Sequence, residues 1–148
     1  MYKQQILALF RHVNPDVRFE PPQYAPFPLG FSNTRVTDEN GQVQILSSDD
    51  PVFHFPNEIG DAAWSNWAQE RGTYFVEADD RHYTDLIQIQ EPFEHNAGWK
   101  KGALVSATVG KGRWIFVGLG LWRQVTAGTD GAYQLLANLA SRGKLPGK

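Results

Sequence analysis

The sequence contains no cysteine. Disulfides, thiolate nucleophiles and cysteine-based metal sites are thereby excluded, while the cellular compartment is left open. Long apolar runs are missing as well: no stretch approaches the roughly 20 residues that a membrane-spanning helix needs. Met1 to Val13 is interrupted by Lys3, Gln4, Gln5, Arg11 and His12, which is not the pattern of a secretory signal. Charge of one sign is scarce. With 14 Lys and Arg against 16 Asp and Glu, the net charge is −2, and the basic footprint of a nucleic-acid binder is absent. The 4 histidines (His12, His54, His82 and His95) form no i, i+4 pair and no H-E-x-x-H. A metal site would need distant residues to converge, such as His54 with Asp49, or His82 with Asp79 and Asp80. We expect no metal and no cofactor. No repeat of about 20–50 residues is present, which argues against solenoids and propellers.

What remains is an aromatic-rich globular chain of 148 residues, 41% hydrophobic and 13% aromatic. A chain of this length buries roughly 68–70% of the surface that its unfolded form exposes, enough for one core. We expect residues 1–143 to form a single α/β domain, with 1–23 an atypical N-terminal helix and connection and 144–148 a flexible tail.

Lys3 to Val13 reads as a short helix, since Ile6, Leu9, Phe10 and Val13 share one face. Glu20 to Gly30, with Pro21, Pro22, Pro26 and Pro28, reads as an extended segment laid over a surface. Asn40-Gly41 is a type I′ turn signal and predicts a hairpin over Arg35 to Leu46. Asp61 predicts a helix running to about Glu70, with Trp64 and Trp67 on one face and Gly72 just beyond its end. Thr73 to Val76 and Leu86 to Ile89 are short β-prone runs, and Glu91 to Lys101 reads as a polar connection.

The strongest β signal is the pair Ala103 to Val109 and Arg113 to Leu119, joined at Gly110-Lys111-Gly112. Trp114-Ile115-Phe116-Val117 is continuously apolar, which predicts a strand covered on both faces, as in an α/β sheet. A loop over Trp122 to Gly128 then leads to a helix capped by Thr129, with Asp130 complementing its dipole. Ala132, Leu135, Leu136 and Leu139 form its apolar face.

Chemistry-bearing motifs are weak. Gly118-Leu119-Gly120 lacks the third glycine of a dinucleotide fingerprint, and Gly110-Lys111-Gly112-Arg113 lacks the hydroxyl of a P-loop. No G-x-S-x-G elbow is present. Glu91 and Glu94 are a carboxylate pair that a hydrolase would use, but spacing alone assigns them nothing. In an open α/β sheet ligands bind beyond the carboxyl ends of the strands, which is where Arg123 and Gln124 would fall. The start of the helix at Thr129 and Asp130 offers free N–H groups to an anion. The bland alternative is that Arg123 pairs with a carboxylate and Thr129 merely caps. Five tryptophans offer a stacking or docking surface, either Trp64 and Trp67 with Tyr74 or Trp99 with Trp122, against the alternative that they are core.

Several stretches carry one linear pattern: Tyr24-Ala25-Pro26-Phe27-Pro28-Leu29, Arg35-Val36-Thr37-Asp38-Glu39, Asp50-Pro51-Val52-Phe53 through Pro56-Asn57-Glu58-Ile59, and Trp67-Ala68-Gln69-Glu70-Arg71-Gly72-Thr73-Tyr74-Phe75. It continues through Gly110-Lys111-Gly112-Arg113, Trp122-Arg123-Gln124 and Gly128-Thr129-Asp130-Gly131-Ala132-Tyr133. This resembles the glutamine-amidotransferase-like domain that accompanies LmbE-like (PIG-L) sugar deacetylase domains in large bacterial proteins. The resemblance implies an α/β fold of the flavodoxin-like kind, a mixed, partly parallel sheet with flanking helices, here shortened at its N-terminus. It implies no reaction: the His-Pro-Asp-Asp deacetylase motif and the amidotransferase cysteine are both absent. A sheet missing its first strands needs something to cover it.

The expectation is therefore a non-enzymatic accessory or interaction subunit, docking on a larger protein or self-associating as a homo-oligomer. The alternative is a carbohydrate-binding or carbohydrate-processing module. The candidate ligand or partner residues are Arg123, Gln124, Thr129, Asp130, Trp64, Trp67 and Trp122, with no catalytic residue named.

Overall fold

The computed structural model describes residues 25–141. The predicted helix at Lys3 to Val13, most of the proline-rich segment before Ala25 and the tail beyond Ser141 lie outside the described residues.

Among the described residues the architecture is built from small antiparallel sheets, not from a parallel or mixed one. Strands β7 (Leu104–Val109) and β8 (Gly112–Val117) form a hairpin in register from Leu104↔Val117 to Val109↔Gly112. Gly110 opens its two-residue turn at φ 59°, a conformation that costs an L side chain and costs glycine nothing. Strand β4 (Tyr83–Asp85) pairs antiparallel with the other edge of β7, giving the order β4-β7-β8. Strand β5 (Ile87–Glu91) lies between β2 (Val43–Ile45) and β6 (Gly98–Lys100), again antiparallel to both. A third pair joins β1 (Gly30–Phe31) to β3 (Val76–Glu77). One nearly continuous stretch thus serves two sheets. It changes partners at Leu86, whose N–H donates to Leu104 while its carbonyl accepts from Leu46.

The flavodoxin-like α/β expectation fails on these pairings, and the cause lies in what the apolar run means. All four residues of Trp114-Ile115-Phe116-Val117 are buried, so β8 is covered on both faces as expected. The covers are two apolar clusters rather than helices on a parallel sheet. Ile115 and Val117 join Val52, Phe53, Phe75 and the helix residues Leu135 and Leu139. Trp114 and Phe116 join Ala25, Leu29, Tyr83 and Val105. Period-two alternation into two cores and burial in an α/β sheet produce the same sequence signature.

Helix α2 (Asp130–Ser141) forms as expected, with Ala132, Leu135 and Leu139 inward. Leu136, assigned to that face, is instead exposed, and Asn138 takes the inward position. Its side chain donates to the carbonyls of Val52 and Asn57 and accepts from the Asn57 N–H. Gly131 is fixed by close approach, since a Cβ there would overlap the Ala63 carbonyl.

Three local expectations are overturned. Arg35 to Leu46 is not a hairpin: Val36 bridges Gly72, while Val43–Ile45 pairs with Ile87–Ile89. Gly41 serves close packing under the Gln90 carbonyl rather than a type I′ turn. The helix from Asp61 stops after one 3-10 turn, Asp61–Trp64, because Ser65 is extended and Asn66 and Gln69 are left-handed at φ 58° and 67°. Gly72 is accordingly no helix terminus; it sits bridged between Val36 and Leu119. The segment expected as a loop over Trp122 to Gly128 is largely helix α1 (Leu121–Ala127), ended by Gly128 at φ 79°. Leu121, Trp122 and Val125, at helical spacing, are the sequence signal for it.

Candidate functional site

The expected site residues divide by what holds them. Gln124 is fully buried on α1. Its Oε1 accepts from the Ala68 N–H at 2.7 Å, and its Nε2 donates to the Ala68 carbonyl at 2.9 Å. The Thr129 hydroxyl lies between the Asn66 carbonyl at 3.3 Å and Gln124 Oε1 at 3.4 Å. Arg123 Nε stands 3.1 Å from Glu70 Oε1, and its guanidinium lies 4.4 Å from the centre of the Trp122 ring. Asp130 is exposed in the first turn of α2, where its charge opposes any incoming anion. These residues are on or beside a helix, and with every strand pairing among the described residues antiparallel the rule that placed ligands beyond strand ends has nothing to act on.

Trp64 and Trp67 are buried with ring centres 5.6 Å apart, and the Trp67 indole N–H donates to the Ala63 carbonyl. They are core, so the pair forms no exposed stacking platform, although Trp64 lines a cleft with Asn66 and Arg71. Trp99 is different. It is on β6 and 42% exposed, whereas Trp122 is half-buried on α1 beneath Arg123.

The remaining polar candidates are tied up. Glu91 is buried and accepts from the Thr37 N–H at 2.7 Å, the Thr37 hydroxyl at 2.9 Å and the Phe93 N–H at 3.3 Å. Glu94 is exposed on a separate 3-10 turn, so the two do not work as a pair. His54 contacts Glu58 at 2.8 Å, and His82 contacts Asp80 at 2.5 Å. Among the described residues no three His, Asp or Glu side chains converge as metal ligands. Arg113 donates to Asp50 at 2.8 Å and Ser106 at 3.1 Å, a cross-link between β7, β8 and the Pro51–Phe53 turn that Asp50 caps.

Among the described residues, two clefts bring polar and aromatic side chains together. The first, of about 290 Å³, runs along the ends of β3, β4 and β6. Trp99 stands at it with Thr34, Glu77, Asp79, Asp85 and Lys101. Its wall is tightly built: Asp85 accepts from the Gly102 N–H at 2.8 Å, and Gly102 in turn accepts from Val76 at 3.1 Å. Gly102 has φ 86° and a Cβ there would overlap the Val76 carbonyl, so only glycine fits. Burial holds the Asp85 carboxyl above its ordinary pKa, partly offset by the Gly102 N–H and Lys101 and reinforced by Asp79. The second cleft, of about 470 Å³, lies over Arg71. The sequence points to single members of each cleft, Trp99 as half of a stacking pair and Trp64 as a ligand candidate, and to Asp79 only as a metal partner, but not to the clefts themselves. The available signal was Gly98-Trp99-Lys100-Lys101-Gly102, an indole and two cations between glycines at φ 112° and 86°.

Compared with family models, curated proteins and solved structures, the chain matches none of them. The amidotransferase-like resemblance accordingly stands on its linear pattern alone, and the fold that it implied is the one corrected above. Among the described residues no helix is long and apolar enough to cross a membrane.

Proposed function

We propose that the chain is a non-enzymatic recognition module, an accessory part of a larger assembly, and that its ligand is a carbohydrate. The observation that carries this reading is Trp99, a large exposed indole beside a polar cleft. A pyranose ring has one face of C–H groups, which an indole covers with little entropy cost. Its hydroxyls both donate and accept. They are suited by a cleft that combines the acceptors Glu77, Asp79 and Asp85 with the donor Lys101. An opening of this size takes one or two sugar rings rather than a drug-like apolar ligand. The resemblance to a domain that accompanies sugar deacetylases points the same way.

The test is a glycan array on the full chain, followed by NMR titration with the best-bound glycan while the Trp99 indole resonance is watched. Saturable shifts at Trp99 that vanish in Trp99→Ala support the reading. An array without binders, or binding that Trp99→Ala leaves intact, overturns it.

A protein partner or second copy is the second reading, favoured by Tyr133 and Leu136, exposed one turn apart on α2. Light scattering on a sizing column tests it. A dimer that Leu136→Glu dissociates supports self-association, and a concentration-independent monomer removes it.

A further inference from the structure

Among the described residues Arg71 is a buried cation with no carboxylate in ion-pair contact. Arg71 is 4% exposed. Its Nε donates to the Gly41 carbonyl at 3.0 Å and its Nη1 to the Trp64 carbonyl at 2.6 Å. The guanidinium carbon lies 5.3 Å from the centre of the Trp67 ring. Among the described residues no carboxylate forms an ion pair with it. Burial brings its pKa down to about 10, with Asp38 and Glu39 opposing the shift from a distance. The side chain therefore stays charged at neutral pH, held by dipoles and an aromatic face. A buried charge in that condition is expensive, and an anion that reaches it relieves the expense.

The same guanidinium lines the larger cleft, whose walls include Asn40, Gln42, Asp61, Trp64 and Asn66. These come from three separate segments: the turn after Asp38, the 3-10 turn Asp61–Trp64, and the loop that carries Arg71. In that loop Asn66 and Gln69 are left-handed, a conformation that Asn adopts readily and Gln rarely. The turn so made brings Arg71 and Asn66 to one opening.

We infer that this cleft is a second ligand site, distinct from the Trp99 groove, and that it takes a small carboxylate bearing hydroxyl or amide groups. The planar guanidinium fork matches a carboxylate in geometry and charge. The neutral amides of Asn40, Gln42 and Asn66 both donate and accept, which suits hydroxyls beside the carboxylate. Asp61 lowers the attraction for every anion in proportion to its charge, so selection falls to shape: the planar fork and the amides suit a flat carboxylate with neighbouring hydroxyls better than a tetrahedral sulfate.

The experiment titrates the full chain with D-glucuronate and follows the Arg71 side-chain and Trp64 indole resonances by NMR, with D-glucose and sulfate as controls. Glucuronate is expected to shift both resonances saturably, and the controls to leave them in place. Gln42→Glu, at an exposed position, adds a repelling charge and should weaken binding about tenfold with the melting temperature unchanged. Asp61→Asn removes the existing repulsion and should strengthen it severalfold. Arg71→Lys keeps the charge but loses the fork and should weaken binding; if it fails to fold, the Gln42 and Asp61 variants still decide. The inference is overturned if glucuronate shifts nothing in the parent and Asp61→Asn chains, if glucose shifts the same resonances equally, or if Gln42→Glu leaves the affinity unchanged. Because the first groove is read through Trp99, the two sites stand or fall separately.

Discussion

Gln124 grips the backbone of Ala68 from both sides, accepting its N–H at 2.7 Å and donating to its carbonyl at 2.9 Å. The two residues are 56 positions apart, and the amide joins α1 to the irregular segment between Trp64 and Gly72. That segment has no ladder of its own, so its backbone groups depend on side chains such as this one. Gln124→Ala should therefore destabilise by about 1–3 kcal/mol, through the Ala68 N–H left unpaired and the lost packing, while the Ala68 carbonyl keeps the Glu70 N–H as a donor. Gln124→Glu should cost a similar amount, because a buried carboxylate there sets an acceptor against the Ala68 and Glu70 carbonyls. Denaturant midpoints for both variants check this; a loss below 1 kcal/mol in either would show the segment to be held elsewhere.

His54 bridges Glu58 Oε2 at 2.8 Å and the Ser48 carbonyl. The hydrogen bond to Glu58 is the main cause that raises its pKa above 6.5, with the Ser48 carbonyl next. A raised histidine pKa gives stability that is present below the unfolded value and is lost as pH rises through the folded one. The effect is small at so exposed a site. NMR titration should place His54 above 6.5, and Glu58→Gln should bring it back toward that value. A midpoint at or below 6.5 in the parent chain would contradict the contact.

Asp85 presents the opposite sign. Burial raises its carboxyl pKa above 3.8, so the folded chain holds that proton to higher pH than the unfolded chain does. Its ionisation thus costs stability as pH climbs from 3.8 through the folded value. Asp85→Asn keeps an oxygen acceptor for the Gly102 N–H and removes that cost. The variant should be at least as stable as the parent at neutral pH, with the difference vanishing in acid. Melting curves across the acid range check it, and a variant less stable at neutral pH would mean that the charge pairs favourably with Lys101 instead.

Elements whose pattern is local were legible in the sequence, and those set by distant contacts were not. The β7–β8 hairpin announces itself through two apolar runs around Gly110, and α2 through Ala132, Leu135 and Leu139 at helical spacing. Asn40-Gly41 gave a false hairpin because Val36 is claimed by Gly72, and Val43 by Ile89, far along the chain. Trp64 and Trp67 suggested a helix face because burial imitates periodicity; the left-handed Asn66 between them cannot be read from composition. The parallel sheet was inferred from β8, whose two covered faces fit two antiparallel cores equally well. Of the expected site residues, Gln124 and Thr129 proved to be internal ties. Trp99, named only as half of a stacking pair, faces a cleft whose other walls come from β3 and β4, a convergence that no linear motif encodes.

The central claim, carbohydrate recognition at the Trp99 cleft, is tested most directly by calorimetric titration of the best-bound array glycan into the parent chain and into Trp99→Ala. Trp99 is 42% exposed, so its removal should lower stability by only about 1–2 kcal/mol. The account predicts saturable binding to the parent and at least a tenfold loss in the variant, measured at a temperature where both chains are folded. Equal affinity for both chains would contradict it and move the ligand away from this groove.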